Sequence, residues 1–311
     1  MNETSCQLDF ATEWKTRDFS QTIRPALWFV EEGCQILEGK FKGHPLKWAD
    51  GKLDFRPGEV TVWCGINGQG KSLLTGQVAQ QLMSESHKVL IMSFEMTPAR
   101  TMVRMARQAY GAVPDTDRFE AWARWAGRTL YFFDQQGAVT PEDVLGAILY
   151  AIKTFQIEHI FVDNLMKVCA GEDDYNGQKL FVQYLTDIAR EQRVHIHLVH
   201  HARKGAKETD DIDKFSVRGA SSIVDQVDNL CLIQRNLKKE KNREDGGMTQ
   251  GSDDSEPDTF LRVAKQRNGD WQGTINLWFN RRSNGFSTSP NRVVDQVSPL
   301  QPTQLWQSND K

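Results

Sequence analysis

The chain has 311 residues, 39% of them hydrophobic and 25% charged, with a formal net charge of −3. That composition is ordinary for a folded globular protein and excludes disordered and fibrous classes. It also excludes a global basic field, so any nucleic-acid site must be a local basic feature. The start MNETSCQLDFATEW has neither the basic opening nor the apolar core of a secretory signal, and no apolar run is long enough to span a bilayer. Five scattered cysteines without a C-x-x-C pair point to reduced thiols in the cytoplasm, not to a disulfide framework or a zinc site.

In chain order, residues 1–45 read as a polar arm with one apolar knot, Ala26-Leu27-Trp28-Phe29-Val30. The knot is expected to form a short helix that packs on a neighbouring surface. From Pro57 onward, apolar runs alternate with helical patterns. Strands are predicted at 60–64, 88–95, 159–164, 195–200, 229–234, 259–265 and 274–279. The first four are separated by segments long enough for helical crossovers, which parallel pairing requires. The last three follow each other closely, as antiparallel or edge strands do. The expected fold is α/β, a mostly parallel central sheet flanked by helices with a β-rich C-terminal finish. The polar stretch 238–258 is expected to be a mobile surface loop, and 287–311 a flexible tail. The domain division is then an arm over 1–45, a main domain over 46–286, and the tail.

The run GINGQGKS follows the strand VTVWC and matches G-x-x-x-x-G-K-[ST] without a mismatch. Its glycines let the backbone curl so that successive N–H groups face phosphate oxygens, and the following helix adds its positive end. Gly65, Asn67, Gly68, Gln69, Gly70, Lys71, Ser72 and Leu73 form the expected nucleotide-binding run. Lys71 should reach the β- and γ-phosphates of ATP and Ser72 should hold Mg²⁺. HIFVD ends a buried strand at Asp163, where a carboxylate can steady the magnesium. MSFEM ends another at Glu95, the candidate base for the attacking water. HIHLVHH offers close histidines, but no carboxylate or cysteine follows at a metal-ligand spacing. Magnesium carried by the nucleotide is the only ion expected. Trp122 and Trp125, three apart, read as one helix face against the core rather than a base-stacking platform.

The motifs GINGQGKS, SFEM, FVDN, LVHHARK, VRGASSIVDQVDN and VAKQRNGDWQGTINLWFN occur in this order. Together they resemble the RecA-like motor domain of the DnaB family of replicative helicases over roughly residues 45–286. The Twinkle and phage helicase-primase branch fits best, because of the histidine in LVHHARK. The resemblance implies an ATP-dependent DNA helicase, in which Glu95 polarises the water and Asp163 is the second magnesium anchor. It makes His201 the γ-phosphate sensor, with His200 adjacent as the alternative. Arg267 becomes an arginine finger acting on a neighbouring subunit's nucleotide, with Lys265 beside it. Two positions apart on a strand, Lys265 and Arg267 share a face; with Arg262 they could equally form a solvated basic cluster. The family holds single-stranded DNA on two loops, here 169–179 and 202–219. The second carries Arg203, Lys204, Lys207, Lys214 and Arg218, spaced to meet phosphates, but also Glu208, Asp210, Asp211 and Asp213, which dilute its field.

About 45 residues precede the motor, too few for the family's collar or primase domain, so the resemblance implies a separate primase, polymerase or loader. It also implies a homo-hexameric ring in the cytoplasm, of phage or prophage character, with single-stranded DNA as partner and no membrane. Two other readings stay open at this stage. One is a RecA-like strand-exchange filament, since heterologous contacts close into rings or run on as helices depending only on the rotation. The other is a nucleotide-switch loader.

Overall fold

The structure, a computed structural model, describes residues 22–40, 42–135, 139–169, 174–202, 220–244 and 255–294. By internal contacts the chain divides into two units, at Lys42 and Gly43. In the first, a 3₁₀ turn Ala26–Phe29 runs into α1 (Val30–Leu37). Leu27, Trp28, Phe29, Ile36 and Leu37 are all exposed.

The second unit opens with two short paired strands, β1 (His44–Pro45) and β2 (Asp54–Phe55). Then follow β3 (Val60–Gly65), α2 (Lys71–Ser84), β4 (Val89–Ser93), α3 (Pro98–Tyr110), α4 (Thr116–Ala126) and β5 (Leu130–Phe132). The middle of the chain supplies α5 (Pro141–Phe155), β6 (His159–Asp163), α6 (Leu165–Val168), α7 (Tyr175–Gln192) and β7 (His195–His201). The finish is α8 (Ala220–Gln226), β8 (Asn229–Arg235), α9 (Leu237–Glu244), β9 (Thr259–Gln266), β10 (Gly273–Asn280) and β11 (Gly285–Ser287).

Nine strands form one sheet in the order β11-β10-β9-β8-β3-β7-β6-β4-β5. From β8 to β5 every pairing is parallel; β8–β9, β9–β10 and β10–β11 are antiparallel. This is the expected architecture: a mostly parallel sheet between helices, with an antiparallel C-terminal end. Strand β3 is buried along its whole length, as a central parallel strand covered on both faces must be. Its alternate residues feed two cores. Val60, Val62 and Cys64 join Ile160, Val162, Ile196 and Leu198 under α5 and α7. Trp63 joins Leu74, Val78, Met105, Phe161 and Val199 under α2, α3 and α4. Each such side chain removed from water contributes roughly 1.5–3 kcal/mol.

Local chemistry fixes where the helices start and stop. Pro98 occupies the first turn of α3, and Gly111 ends it with φ +69°. A reciprocal Thr140–Asp143 capping box starts α5, and Asp174 accepts the Gly177 N–H to start α7. On α4, Trp122 is 1% exposed and its ring lies 6.3 Å from that of Trp125, so this pair belongs to the core.

The structure departs from the sequence reading in three places. Helix α9 occupies the start of the stretch expected as a loop: Asn236 caps it, and the buried Lys239 ammonium donates to Glu256 O and Asp258 Oδ1. Residues 245–254 lie outside the described residues. Beyond Phe286 the chain still packs on the sheet. Arg292 bonds Phe279 O and Asp258 Oδ2, each at 3.0 Å, and Val294 is buried. Finally, β1, β2, β5 and β11, of two or three residues each, are too short for a periodicity to register.

Candidate nucleotide-binding site

Four parallel strands deliver their ends to one edge of the sheet. β3 ends at Gly65, β4 at Ser93, β6 at Asp163 and β7 at His201. This is the carboxyl edge, where open α/β sheets bind ligands. The glycine run turns there from β3 into α2. Gly68 and Gly70 have φ of +78° and +90°, a region in which only glycine is unstrained. Gly65 is required for another reason: a Cβ there would sit 2.5 Å from the Ile233 carbonyl oxygen on β8.

Lys71, the first residue of α2, is buried, and its ammonium donates to Gly65 O at 2.9 Å and Ile66 O at 3.0 Å. Burial lowers its pKa, opposed by Cys64, Asp163 and Glu95. The Ser72 hydroxyl hydrogen-bonds to Asp163, whose carboxyl is pushed up by burial despite that bond and despite Lys71 and Arg104 nearby. Two hard oxygen donors therefore meet beside the phosphate loop, the set that suits Mg²⁺.

Asn164 ties the remaining candidates together. Its Nδ2 donates to Glu95 Oε1 at 2.5 Å and to His201 Nε2 at 2.8 Å, while its Oδ1 is buried without a hydrogen-bond partner. His201 Nδ1 lies 3.2 Å from the Lys71 ammonium. His200 points into the protein and is fully buried, so of the two adjacent histidines it is His201 that reaches the site. A neutral imidazole accepts at one nitrogen only, so His201 cannot satisfy both Asn164 and Lys71. A phosphate that drew the ammonium away would remove the conflict.

Beside Gly68 and Gly70 opens a cleft of about 410 Å³, lined also by Leu73, Arg235, Phe279 and Phe286. The two phenylalanine rings are 5.3 Å apart. Gln69 lines the same cleft and leaves a buried carbonyl oxygen without a partner. The cleft has the size and the aromatic wall for a nucleoside, in continuity with the phosphate loop. A magnesium nucleotide fits these residues.

Lys265 and Arg267 are elsewhere. β9 runs antiparallel to β8 with Asn229 opposite Gln266, and Asn229 is opposite Thr61 on β3. The pair therefore sits at the amino edge of the parallel strands, four residues along β3 from Gly65. At about 3.3 Å per residue that is roughly 13 Å of strand. There Lys265 caps the end of α8 through Val224 O and Val227 O, each at 2.7 Å. Arg267 pairs with Asp228 at 3.0 Å.

A model of the AAA domain family matches residues 30–207. The chain belongs to the AAA domain family. Among solved structures, this AAA-family chain superposes on an ATPase domain with a TM-score of 0.66 at 15% identity, covering 87% of this chain and 98% of that one. It superposes on a DnaB-like replicative helicase, solved for its interactions with primase, with a TM-score of 0.64 at 14% identity, covering 85% and 67%. The fold is that of a RecA-like ATPase motor as found in DnaB-like helicases. Among the described residues no helix is long and apolar enough to cross a membrane.

Sequence reasoning missed three contributors. Asn164 follows Asp163 directly, and its adjacency in FVDN was the available signal. Arg104 reaches from α3 to the Ser72 carbonyl at 3.4 Å, and nothing local in its helix marks it. Phe286 arrives from the last strand. The expected DNA contacts Arg203, Lys204, Lys207, Lys214 and Arg218 lie outside the described residues, as do residues 170–173 of the other loop.

Proposed function

We propose that the chain is the ATPase motor of a DnaB-type DNA helicase, which hydrolyses ATP between adjacent copies and uses the energy to move along single-stranded DNA. The observation that carries this reading is the placement of the charged groups on opposite edges of one sheet. Lys71, Ser72, Glu95, Asp163 and His201 gather at the carboxyl edge, and Lys265 and Arg267 at the amino edge. Cations so placed cannot serve their own chain's nucleotide, but a neighbouring copy's site is open to them. A homo-hexameric ring repeats that contact six times.

In this mechanism the N–H groups of Gly68 to Ser72 and the Lys71 ammonium hold the phosphates, and the cleft beside Phe279 and Phe286 holds the nucleoside. Ser72 and Asp163 hold Mg²⁺, which when bound neutralises charge on the β- and γ-phosphates. Glu95 accepts the proton of the attacking water, and Asn164 fixes the carboxylate while offering its free Oδ1 to the same water. His201, between Asn164 and Lys71, reads the γ-phosphate and passes its presence toward the loop that follows β7. The neighbour's Arg267 stabilises the charge that develops in the transition state. Single-stranded DNA is the track, and a primase, polymerase or loader is the expected protein partner in the cytoplasm.

The test is ATP-driven unwinding of a forked duplex, with electron microscopy of the chain on single-stranded DNA. Rings and strand separation are expected. Filaments without unwinding would replace the helicase by a strand-exchange ATPase, and nucleotide binding without DNA-stimulated turnover would replace it by a loader.

A further inference from the structure

Five of the seven histidines meet at the amino edge of the sheet, far from Lys71, and the nucleotide chemistry uses none of them. His44 comes from β1, His87 from the turn before β4, and His159, His195 and His197 from the starts of β6 and β7. His44 and His87 stack with ring centroids 3.7 Å apart, and His44 Nδ1 lies 2.7 Å from His159 Nε2. One ring nitrogen from each of His44, His87 and His159 falls within 4.8 Å of the others. His44 and His87 are partly exposed, so the meeting point is reached from solvent, whereas His159 is buried.

We propose that His44, His87 and His159 form a binding site for a divalent transition-metal ion of the zinc type, separate from the magnesium that accompanies ATP. Three imidazole nitrogens and no carboxylate among the ligands suit zinc, cobalt or nickel and do not suit magnesium. The fourth position faces solvent. Metal-bound imidazoles need a partner on their other nitrogen to fix ring orientation, and two are in place. Glu158 Oε2 bonds His87 at 2.9 Å and is itself held by the Lys88 N–H, while His197 Nε2 lies 3.2 Å from His159 Nδ1.

The protons must rearrange when the ion enters, and the direction follows from Trp63. Its indole N–H donates to His197 Nδ1 at 3.3 Å. His197 therefore carries its proton on Nε2 and gives it to His159 Nδ1, and His159 carries its own on Nε2 and gives it to His44 Nδ1. A metal at His159 Nε2 shifts the protons of His159 and His197 from Nε2 to Nδ1. No proton is released and each ring stays neutral, while the long Trp63 bond and the His159–His44 bond are given up. The narrow 2.7 Å gap must open as the ion seats, and His44, on a two-residue strand, is the ligand with room to move. The ion would then tie β1 to the starts of β4 and β6.

The experiment uses the full chain, free of any polyhistidine tag and without nucleotide, titrated with Co²⁺ and with Zn²⁺ in competition. One equivalent of Co²⁺ should give the visible absorption of a tetrahedral site, and Zn²⁺ should displace it. His44→Ala and His87→Ala, both at partly exposed positions and checked for folding by circular dichroism, should each weaken binding at least about tenfold. Glu158→Gln should weaken it less while keeping the stoichiometry, and Ser72→Ala should leave it unchanged. No saturable binding, or binding indifferent to His44 and His87, overturns the proposal. Loss of the signal in Ser72→Ala alone would assign the ion to the magnesium position and also overturn it.

Discussion

The Arg267 guanidinium donates to Asp228 Oδ1 at 3.0 Å and to Asp225 O at 3.0 Å, and the Arg267 backbone N–H donates to Asp228 O at 2.9 Å. The same Asp228 carboxylate accepts the Val60 N–H at the start of β3. The proposed finger is thus parked on the strand whose far end carries the phosphate loop. If it acts on a neighbour's nucleotide, Arg267→Ala should lower DNA-stimulated turnover by about 10³-fold or more and leave nucleotide binding nearly intact. Lys71→Ala should be inactive too. A mixture of the two variants should regain turnover, because some interfaces then pair an intact Lys71 with an intact Arg267. A mixture as inactive as its components would remove the shared site.

Asp163 should show a conflict between stability and activity. Its folded pKa is raised, chiefly by burial, above the ordinary 3.8. The sign follows from linkage: such a group adds stability below its unfolded pKa and loses it as pH rises through the folded value. At neutral pH the buried charge is therefore a liability. Asp163→Asn should raise unfolding stability by about 0.5–2 kcal/mol while abolishing magnesium-dependent turnover. Thermal melts at about pH 7.5 decide it; a lower melting temperature would mean that Lys71 and Arg104 outweigh burial.

Acid should unfold the protein through its histidines. Burial pushes His195 down to about 3, and His159 and His197 well below the ordinary 6.5. These folded pKa values are depressed, so the unfolded chain binds more protons below about pH 6.5. Their contribution is complete above that pH and is lost as pH falls toward the folded values. Each group costs about 1.4 kcal/mol per pH unit in that window, about 4 kcal/mol for three. Urea midpoints measured from about pH 7.5 to 5 should fall steeply; a flat profile would contradict neutral burial.

The glycines of the phosphate loop should separate by mechanism. Gly65→Ala places a methyl group against the Ile233 carbonyl of a neighbouring strand, and should destabilise the fold by about 1–3 kcal/mol. Gly68→Ala meets nothing within 4 Å but forces an L-residue to φ +78°, a strain of roughly 1–2 kcal/mol. Its larger effect should be on nucleotide affinity, because the strain is relieved by turning N–H groups away from the phosphates. Melting curves with and without nucleotide distinguish the two.

Where the site was legible, single residues at strand ends carried it. Val60–Gly65 and His159–Asp163 are apolar enough to announce buried strands, and a polar residue closing such a run is thereby placed at the ligand edge. Asp163 and Glu95 could be located on that ground, and Lys71 by the glycine-run motif that follows the first of these strands. The Asn164 contacts, the approach of Arg104 and the wall formed by Phe286 depend on residues 32 to 209 positions apart, and no local pattern encodes those meetings. The histidine cluster was hidden for the same reason. HIHLVHH showed two of its members, but His44, His87 and Glu158 come from other elements. Helix α9 was missed because its sequence, LKKEKNRE, is almost wholly polar, and tertiary anchoring through Lys239 rather than an apolar face holds it.

The Gln77 side chain on α2 imitates a strand. Its amide nitrogen donates to Phe286 O and its oxygen accepts the Phe286 N–H, both at 2.8 Å. The two residues are 209 positions apart, and a Cβ at Gly70 would lie 3.0 Å from the Phe286 ring. A chain emerging from the ribosome therefore displays the phosphate loop long before it owns the wall beside it. Until residue 286 is made, the proposed nucleotide would meet a loop and a helix but no cleft, so it could not serve as an early template for the fold.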